Sequence, residues 1–249
     1  MRRKLVVGNW KMHGSKAFIA ELLGKVPRVA LPAGADFAVC PPFVYLSWVE
    51  QLLAGSVIGL GAQNVALATQ GAFTGEVAAS MLRDCGCRYV IVGHSERRSL
   101  FGESNADVAG KTAMVLEQGL VPIVCVGESL AEREADATLG VIGAQLGAVM
   151  EVLKDCDWSP MVVAYEPVWA IGTGQTATPE HAQVVHAFIR ERLAAVDANV
   201  AAGTRILYGG SVKADNAAAL FAQPDIDGGL VGGASLNAEE FTAICDAAG

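Results

Sequence analysis

Eight short runs rich in Val, Ile and Leu recur along the chain, each followed by a longer stretch of helical period, and this alternation restricts the fold more than any other feature. The runs are Leu5 to Val7, Phe37 to Cys40, Val57 to Leu60, Tyr89 to Val92, Ile123 to Val126, Met161 to Tyr165, Arg205 to Tyr208, and Leu230 to Val231. They are continuously apolar, as parallel strands covered on both faces require. Between them the period changes. Leu139, Ile142, Leu146, Val149 and Leu153 step by three and four and mark one side of a helix, as do Val185, Phe188, Ile189, Leu193 and Val196. The second helix opens with Thr178-Pro179-Glu180, which supplies an N-cap hydroxyl, a φ-restricted first residue and a carboxylate at the positive dipole end.

Strand and helix patterns alternate without a linker, an internal repeat or a break in composition, so the expected architecture is one closed (β/α)8 barrel domain over residues 1–249, with eight parallel strands surrounded by helices. An open doubly wound sheet is the alternative arrangement of the same units. About half the residues are apolar and 18% are charged, a balance that supports an ordered core. The net charge of −8 opposes binding to nucleic acid or to an anionic membrane, both of which need Lys and Arg neutralisation. No apolar run is long enough for a membrane span or a signal-peptide core, which points to cytoplasmic residence. Six scattered cysteines read as free thiols of a reducing compartment, and Cys85-Gly-Cys87 lacks a second ligand pair, so neither metal nor cofactor is expected.

The polar exceptions gather just after strands: Asn9 and Lys11 after the first, His94 and Ser95 after the fourth, Glu166 after the sixth, Gly209-Gly210-Ser211 after the seventh, and Gly232-Gly233 after the eighth. In a parallel barrel all strand carboxyl ends open on one face, so these residues converge on a single mouth. A carboxylate removes a proton beside a carbonyl only if donors meet the negative charge growing on oxygen, and His94, Lys11 and Asn9 can do so. Glycine turns after the last two strands expose backbone N–H groups to an anion, which favours phosphate. The expected chemistry is therefore proton transfer by Glu166 beside a carbonyl of a small phosphorylated substrate. The long segment from Pro167 to Ala177 carries Gly172-Thr173-Gly174 beside Val168, Trp169 and Ile171, a composition suited to a hinged lid.

Five motifs in order resemble the triosephosphate isomerase family over nearly the whole chain. They are Gly8-Asn9-Trp10-Lys11-Met12, Tyr89 to Arg98 with Gly93-His94-Ser95-Glu96 inside it, Ala164-Tyr165-Glu166-Pro167-Val168-Trp169-Ala170-Ile171-Gly172-Thr173-Gly174, Tyr208-Gly209-Gly210-Ser211-Val212, and Val231-Gly232-Gly233-Ala234-Ser235. The resemblance implies a TIM (β/α)8 barrel that interconverts dihydroxyacetone phosphate and D-glyceraldehyde 3-phosphate. It implies Glu166 as base, His94 as the group shuttling protons between substrate oxygens, Lys11 as the cation facing the enediolate, and Asn9 as a substrate hydrogen-bonding residue. Ser95 and Glu96 would support the site, and Gly172, Ser211, Gly232 and Gly233 would hold the phosphate. This family is a standard example of a neutral catalytic imidazole and of a loop that closes over its substrate. The resemblance also implies a homodimer, with the loop Phe73-Thr74-Gly75-Glu76 reaching a partner subunit near Met12 and His13. His13 departs from the Asn frequent in the family, so the intersubunit contacts near Lys11 are expected to differ from the family's.

Singly, Lys11 reads as a solvated cation and His94 as a hydrogen-bonded core residue; four such accidents at strand ends are less economical than one site. His13, His181 and His186 are read as structural, Cys125 as packing near the mouth, and Glu96 with Arg98 as a supporting ion pair. A dinucleotide oxidoreductase would need a complete glycine fingerprint, but Gly59-Leu60-Gly61 runs into Ala62-Gln63-Asn64. A silent barrel serving as an interaction module has no use for the four polar residues together. Because an enediolate beside a phosphate ester can expel phosphate, deleting Ile171 to Thr173 is expected to leave the fold intact and to release methylglyoxal. Product analysis showing clean isomerisation would count against the lid.

Overall fold

A computed structural model describes residues 2–26, 32, 34–171 and 176–249. Eight parallel strands close into a barrel in sequential order: β1 (Lys4–Asn9), β2 (Ala35–Cys40), β3 (Ile58–Ala62), β4 (Tyr89–Val92), β5 (Val121–Val126), β6 (Val162–Tyr165), β7 (Arg205–Tyr208) and β8 (Gly228–Val231). Helices fill every interval between strands, two of them in succession between β4 and β5, between β5 and β6, and between β6 and β7. The closed barrel is thus the architecture, and the open sheet is not.

Alternation along each strand divides the core into two layers. Leu5, Val7, Cys40, Ile91, Ile123, Cys125, Ala164 and Leu207 point into the barrel and pack on one another. Their neighbours Val6, Val39, Val92, Val124, Val163 and Ile206 point outward and meet the helices. Both sets are buried, which is why the strands carry no polar face.

The barrel closes where β1 pairs with β8, and glycine makes this possible. Gly228 has φ +128°, and a β-carbon on it would lie 2.0 Å from the Leu5 carbonyl oxygen. This pair of glycines, Gly228 and Gly229, also hides the strand's start, because the apolar run begins only at Leu230. Elsewhere the bounds shift by a few residues. Val57 is 55% exposed and precedes β3, while Val196 lies beyond the helix Pro179–Ala194 and Leu139 faces outward in the first turn of the helix Thr138–Leu153. The cap at Thr178 forms as expected, its hydroxyl accepting from the His181 N–H at 3.2 Å.

At the barrel's amino-terminal face, ion pairs tie distant strands together. Asp227, 4% exposed, accepts from Arg2 and Arg190 at 2.7 Å each and from the Ile206 N–H at 3.0 Å. Asp36 receives Arg3 at 2.6 Å and Arg205 at 2.7 Å. The buried charge of Asp227 persists because it is paired and hydrogen-bonded, whereas the Asp36 pairs lie nearer solvent. Among the described residues, no helix is long and apolar enough to cross a membrane.

His186 is fully buried on the helix Pro179–Ala194, its ring 5.9 Å from that of Tyr165 and 6.4 Å from that of Tyr208. Burial pushes its imidazole down from 6.5 to about 4. The unfolded chain takes up this proton near its ordinary pKa and the native chain resists it. The resulting stability is complete above the unfolded value and is lost as the pH falls through the interval to the native one. Urea unfolding of the parent should therefore weaken between neutral pH and pH ~4 by up to roughly 3 kcal/mol more than that of a His186→Gln variant. Identical pH profiles for the two proteins would show that His186 carries no such load.

Candidate active site

The site begins at the carboxyl end of β1. Asn9, 5% exposed, accepts the Lys11 N–H on its side-chain oxygen at 3.0 Å. That short loop places Lys11 at φ +49°, a left-handed conformation uncommon outside glycine and characteristic of residues held for a purpose. Gln63, one residue beyond β3, donates to the Lys11 carbonyl and to the Cys40 carbonyl, both at 2.8 Å. The strained turn is thereby held from two sides. The Lys11 ammonium pairs with Glu96.

After β4 the chain turns at Gly93, φ +69°, packed so closely that a β-carbon would meet Val108 at 2.7 Å. His94 follows as the N-cap of the helix Ser95–Phe101. Its Nδ1 accepts from the Glu96 N–H at 3.2 Å, so the ring carries its proton on Nε2. Nε2 lies 2.9 Å from Oε1 of Glu166, and the other Glu166 oxygen accepts from the Ser95 N–H at 2.8 Å. Glu166 is 2% exposed, and both of its oxygens are engaged.

The charges on this pair follow from their surroundings. Burial opposes ionisation of Glu166, but His94, the Ser95 N–H and Lys11 outweigh it and hold the carboxyl below its usual range. Burial likewise disfavours a charged His94, whereas Glu166, and Glu96 behind it, pull the pKa upward and prevail while the carboxylate rests against the ring. Cys125 lies inside the barrel, its thiol pushed well up by burial and next by the Glu166 charge, which makes it an inert packing group near the mouth.

The remaining wall is backbone. Gly209 leaves room for the carboxylate, since a β-carbon there would sit 2.9 Å from Cγ of Glu166. Past it, the N–H of Ser211 has no protein acceptor among the described residues, and the same holds for the N–H of Gly233. Ser235 ties down the turn by donating its hydroxyl and its N–H to the Gly232 carbonyl, at 2.7 and 2.9 Å. The result is a cavity of about 480 Å³ lined by Asn9, Lys11, His94, Glu166, Ser211, Gly232 and Gly233, with Ile171, His13 and Lys213 also on its wall.

Seven of the residues expected to bind substrate or carry out proton transfer, Gly232 among them, therefore face one cavity. Gly172, Thr173 and Gly174 lie outside the described residues. Ser95 and Glu96 stand behind the cavity, one clamping Glu166 and the other pairing with Lys11. One expectation is overturned. Glu96 and Arg98 form no ion pair, because the helix turn aims Arg98 inward, where it donates to the Gly93 carbonyl at 2.9 Å, to Asn105 at 2.8 Å and to the Cys125 carbonyl at 3.3 Å. Gln63 and Lys213 were not anticipated. Gln63 bears the same mark as Asn9 and His94, a polar residue at a strand's end, and could have been found by it.

Both anchors of the segment from Pro167 to Ala177 are visible. At its start Trp169 donates to Oε1 of Glu128 at 2.9 Å, an oxygen that also accepts from the Tyr165 hydroxyl, and the Arg133 guanidinium lies 3.7 Å from the Trp169 ring centroid. At its end the Ala177 N–H donates to the Tyr208 hydroxyl at 3.3 Å.

Fold and site together define a class: a (β/α)8-barrel enzyme whose mouth sets a carboxylate, an imidazole and an ammonium opposite backbone amides unpaired among the described residues. A model of the triosephosphate isomerase family matches residues 4–248. The chain is 63% identical to the triosephosphate isomerase of Thiobacillus denitrificans over all of this chain and 99% of that protein. It is 60% identical to that of Pseudomonas paraeruginosa over the whole of both chains, and 59% identical to that of Cupriavidus taiwanensis over 99% of this chain and all of the other. The chain belongs to the triosephosphate isomerase family.

Proposed function

We propose that this protein interconverts dihydroxyacetone phosphate and D-glyceraldehyde 3-phosphate, the isomerisation used in glycolysis and gluconeogenesis, as a single (β/α)8 domain without a cofactor. The reading is carried by one observation: a buried carboxylate sits 2.9 Å from an imidazole in a cavity whose far wall presents amides unpaired among the described residues.

Substrate phosphate would take the free N–H groups of Ser211 and Gly233, beside Gly232 and, by the family resemblance, Gly172. The carbonyl and hydroxyl oxygens would then face Asn9, Lys11 and His94. At rest both Glu166 oxygens are bound, so the carboxylate must turn away from Ser95 and His94 to reach a substrate carbon. That movement strips it of two donors in a dry site and makes it a stronger base. Glu166 removes a proton from one carbon, and the electron pair moves onto the carbonyl oxygen to give an enediolate, whose charge the Nε2–H of His94 and the Lys11 ammonium meet. Passage of a proton through His94 exchanges which oxygen is protonated. Glu166 then returns its proton to the neighbouring carbon, so that atoms and charge balance over the cycle.

Withdrawal of Glu166 also removes the main influence raising the His94 pKa. Burial, Lys11 and the helix N-terminus then favour the neutral ring, which both donates and accepts. A neutral imidazole is the form that can shuttle a proton.

Cytoplasmic residence fits the free thiols found at all six cysteines, and a homodimer fits the family pattern together with the outward-facing Met12 and Phe73, 94% and 54% exposed. Purified protein should convert dihydroxyacetone phosphate in a coupled assay. Glu166→Asp, which draws the carboxylate back by one methylene, should lower kcat by about 10²-fold with little change in KM. An Asp variant as fast as the parent would remove Glu166 from the reaction. Sedimentation at dilute concentration should find a dimer, and a fully active monomer would contradict it.

A further inference from the structure

We infer that Gln145 is a positioning residue for the base, holding the backbone on which Glu166 pivots. This inference rests on the assignment of Glu166 above. Gln145 lies on the inner face of the helix Thr138–Leu153, 8% exposed among Ile142, Leu146 and Val149. A buried amide must satisfy both its donor and its acceptor. Gln145 gives both to one residue: its Oε1 accepts from the Gly127 N–H at 2.8 Å, and its Nε2 donates to the Gly127 carbonyl at 3.0 Å.

Gly127 stands one residue beyond β5, where the strand ladder has ended. The side chain of Gln145 therefore supplies the two hydrogen bonds that a neighbouring strand would otherwise make. Gly127 in turn abuts the base. A β-carbon there would fall 1.8 Å from the Glu166 carbonyl oxygen, so the two backbones are in direct contact. Next to it the Glu166 N–H donates to the Val126 carbonyl at 2.8 Å. The path from Gln145 to the reacting carboxylate is thus two hydrogen bonds and one backbone contact.

Backbone bonds tie the residues on either side of Gly127, Val126 to Glu166 and Glu128 to Val168, at 2.8 and 3.1 Å, but Gln145 engages Gly127 itself. A second cavity of about 310 Å³ opens behind the carboxylate, lined by Gly127, Gln145, Ser95, Arg98 and Glu166. The cavity leaves room on that side, so loss of the amide pair allows Gly127 to move between its two anchored neighbours. Glu166 has to exchange one bonded position for another during the reaction, which makes a fixed pivot a requirement of the chemistry.

Two variants test the role, each measured per folded molecule with the parent alongside. Gln145→Met keeps volume and removes both hydrogen bonds; kcat should fall by about tenfold or more while KM for the triose phosphate stays within about twofold. Gln145→Glu separates positioning from mere stability. When ionised it accepts from the Gly127 N–H but repels the Gly127 carbonyl, and when protonated it restores both bonds, so its kcat relative to the parent should recover as the pH falls from about 8 to about 5. A Met variant with parental kcat overturns the inference, as does a Glu variant whose relative kcat is flat with pH; if the Met variant does not fold, the Glu profile decides. A parent inactive on dihydroxyacetone phosphate would instead refute the assignment of the site, whereas an active parent with an unimpaired Met variant refutes only the role of Gln145.

Discussion

The structure depends first on the closure of β1 against β8. With every strand parallel and the ring complete, all eight carboxyl ends must open on the same side, and side chains more than 150 residues apart, such as Asn9 and Glu166, are brought to one cavity. The seam is tight. The Leu5 N–H donates to the Asp227 carbonyl at 2.8 Å, and the next residue, Gly228, leaves no space for a side chain beside the Leu5 carbonyl. Asp227 carries the same seam into the ion pairs of the opposite face, so stability and function occupy the two ends of one barrel.

The cavity of this protein of net charge −8 presents backbone dipoles beside its cations. Its ammonium at Lys11 is already paired with Glu96, and the wall formed by Ser211 and Gly233 is backbone amide. Amides need no counterion and are held in place by the turns that carry them, so they lose little freedom when a ligand arrives. The carboxylate is treated in the opposite way, buried with both oxygens satisfied until something displaces it. In the proposed reaction, a carboxylate occupied in this way is shielded from water until its partners are withdrawn.

Much of the fold was legible because strand and helix periods are local properties of a chain. All eight strands fall where apolar runs stand, and the missed residues at the start of β8 are glycines, whose role is to allow another backbone to approach and which carry no hydrophobic signal of their own. The polar residues at strand ends were legible for the same reason. The Glu96–Arg98 pair was misread because residues two apart on a helix point in different directions, so Glu96 reached across to Lys11 while Arg98 turned inward to carbonyls. Gln145 left no trace in the pattern, since a polar residue within an apolar helical stripe is indistinguishable in sequence from a break in the stripe.

The sequence by itself therefore determined the barrel, the polar residues that meet at its mouth and the glycine turns opposite them, because each is expressed in residue type and in distance from a strand's end. Tertiary structure alone decided the state of those groups: which nitrogen of His94 bears the proton, that Glu166 rests bound to both His94 and Ser95, and that Lys11 is held in a left-handed turn by Asn9 and Gln63. Charge state and poise arise from contacts between segments far apart in the chain, and those contacts exist only after the ring has closed.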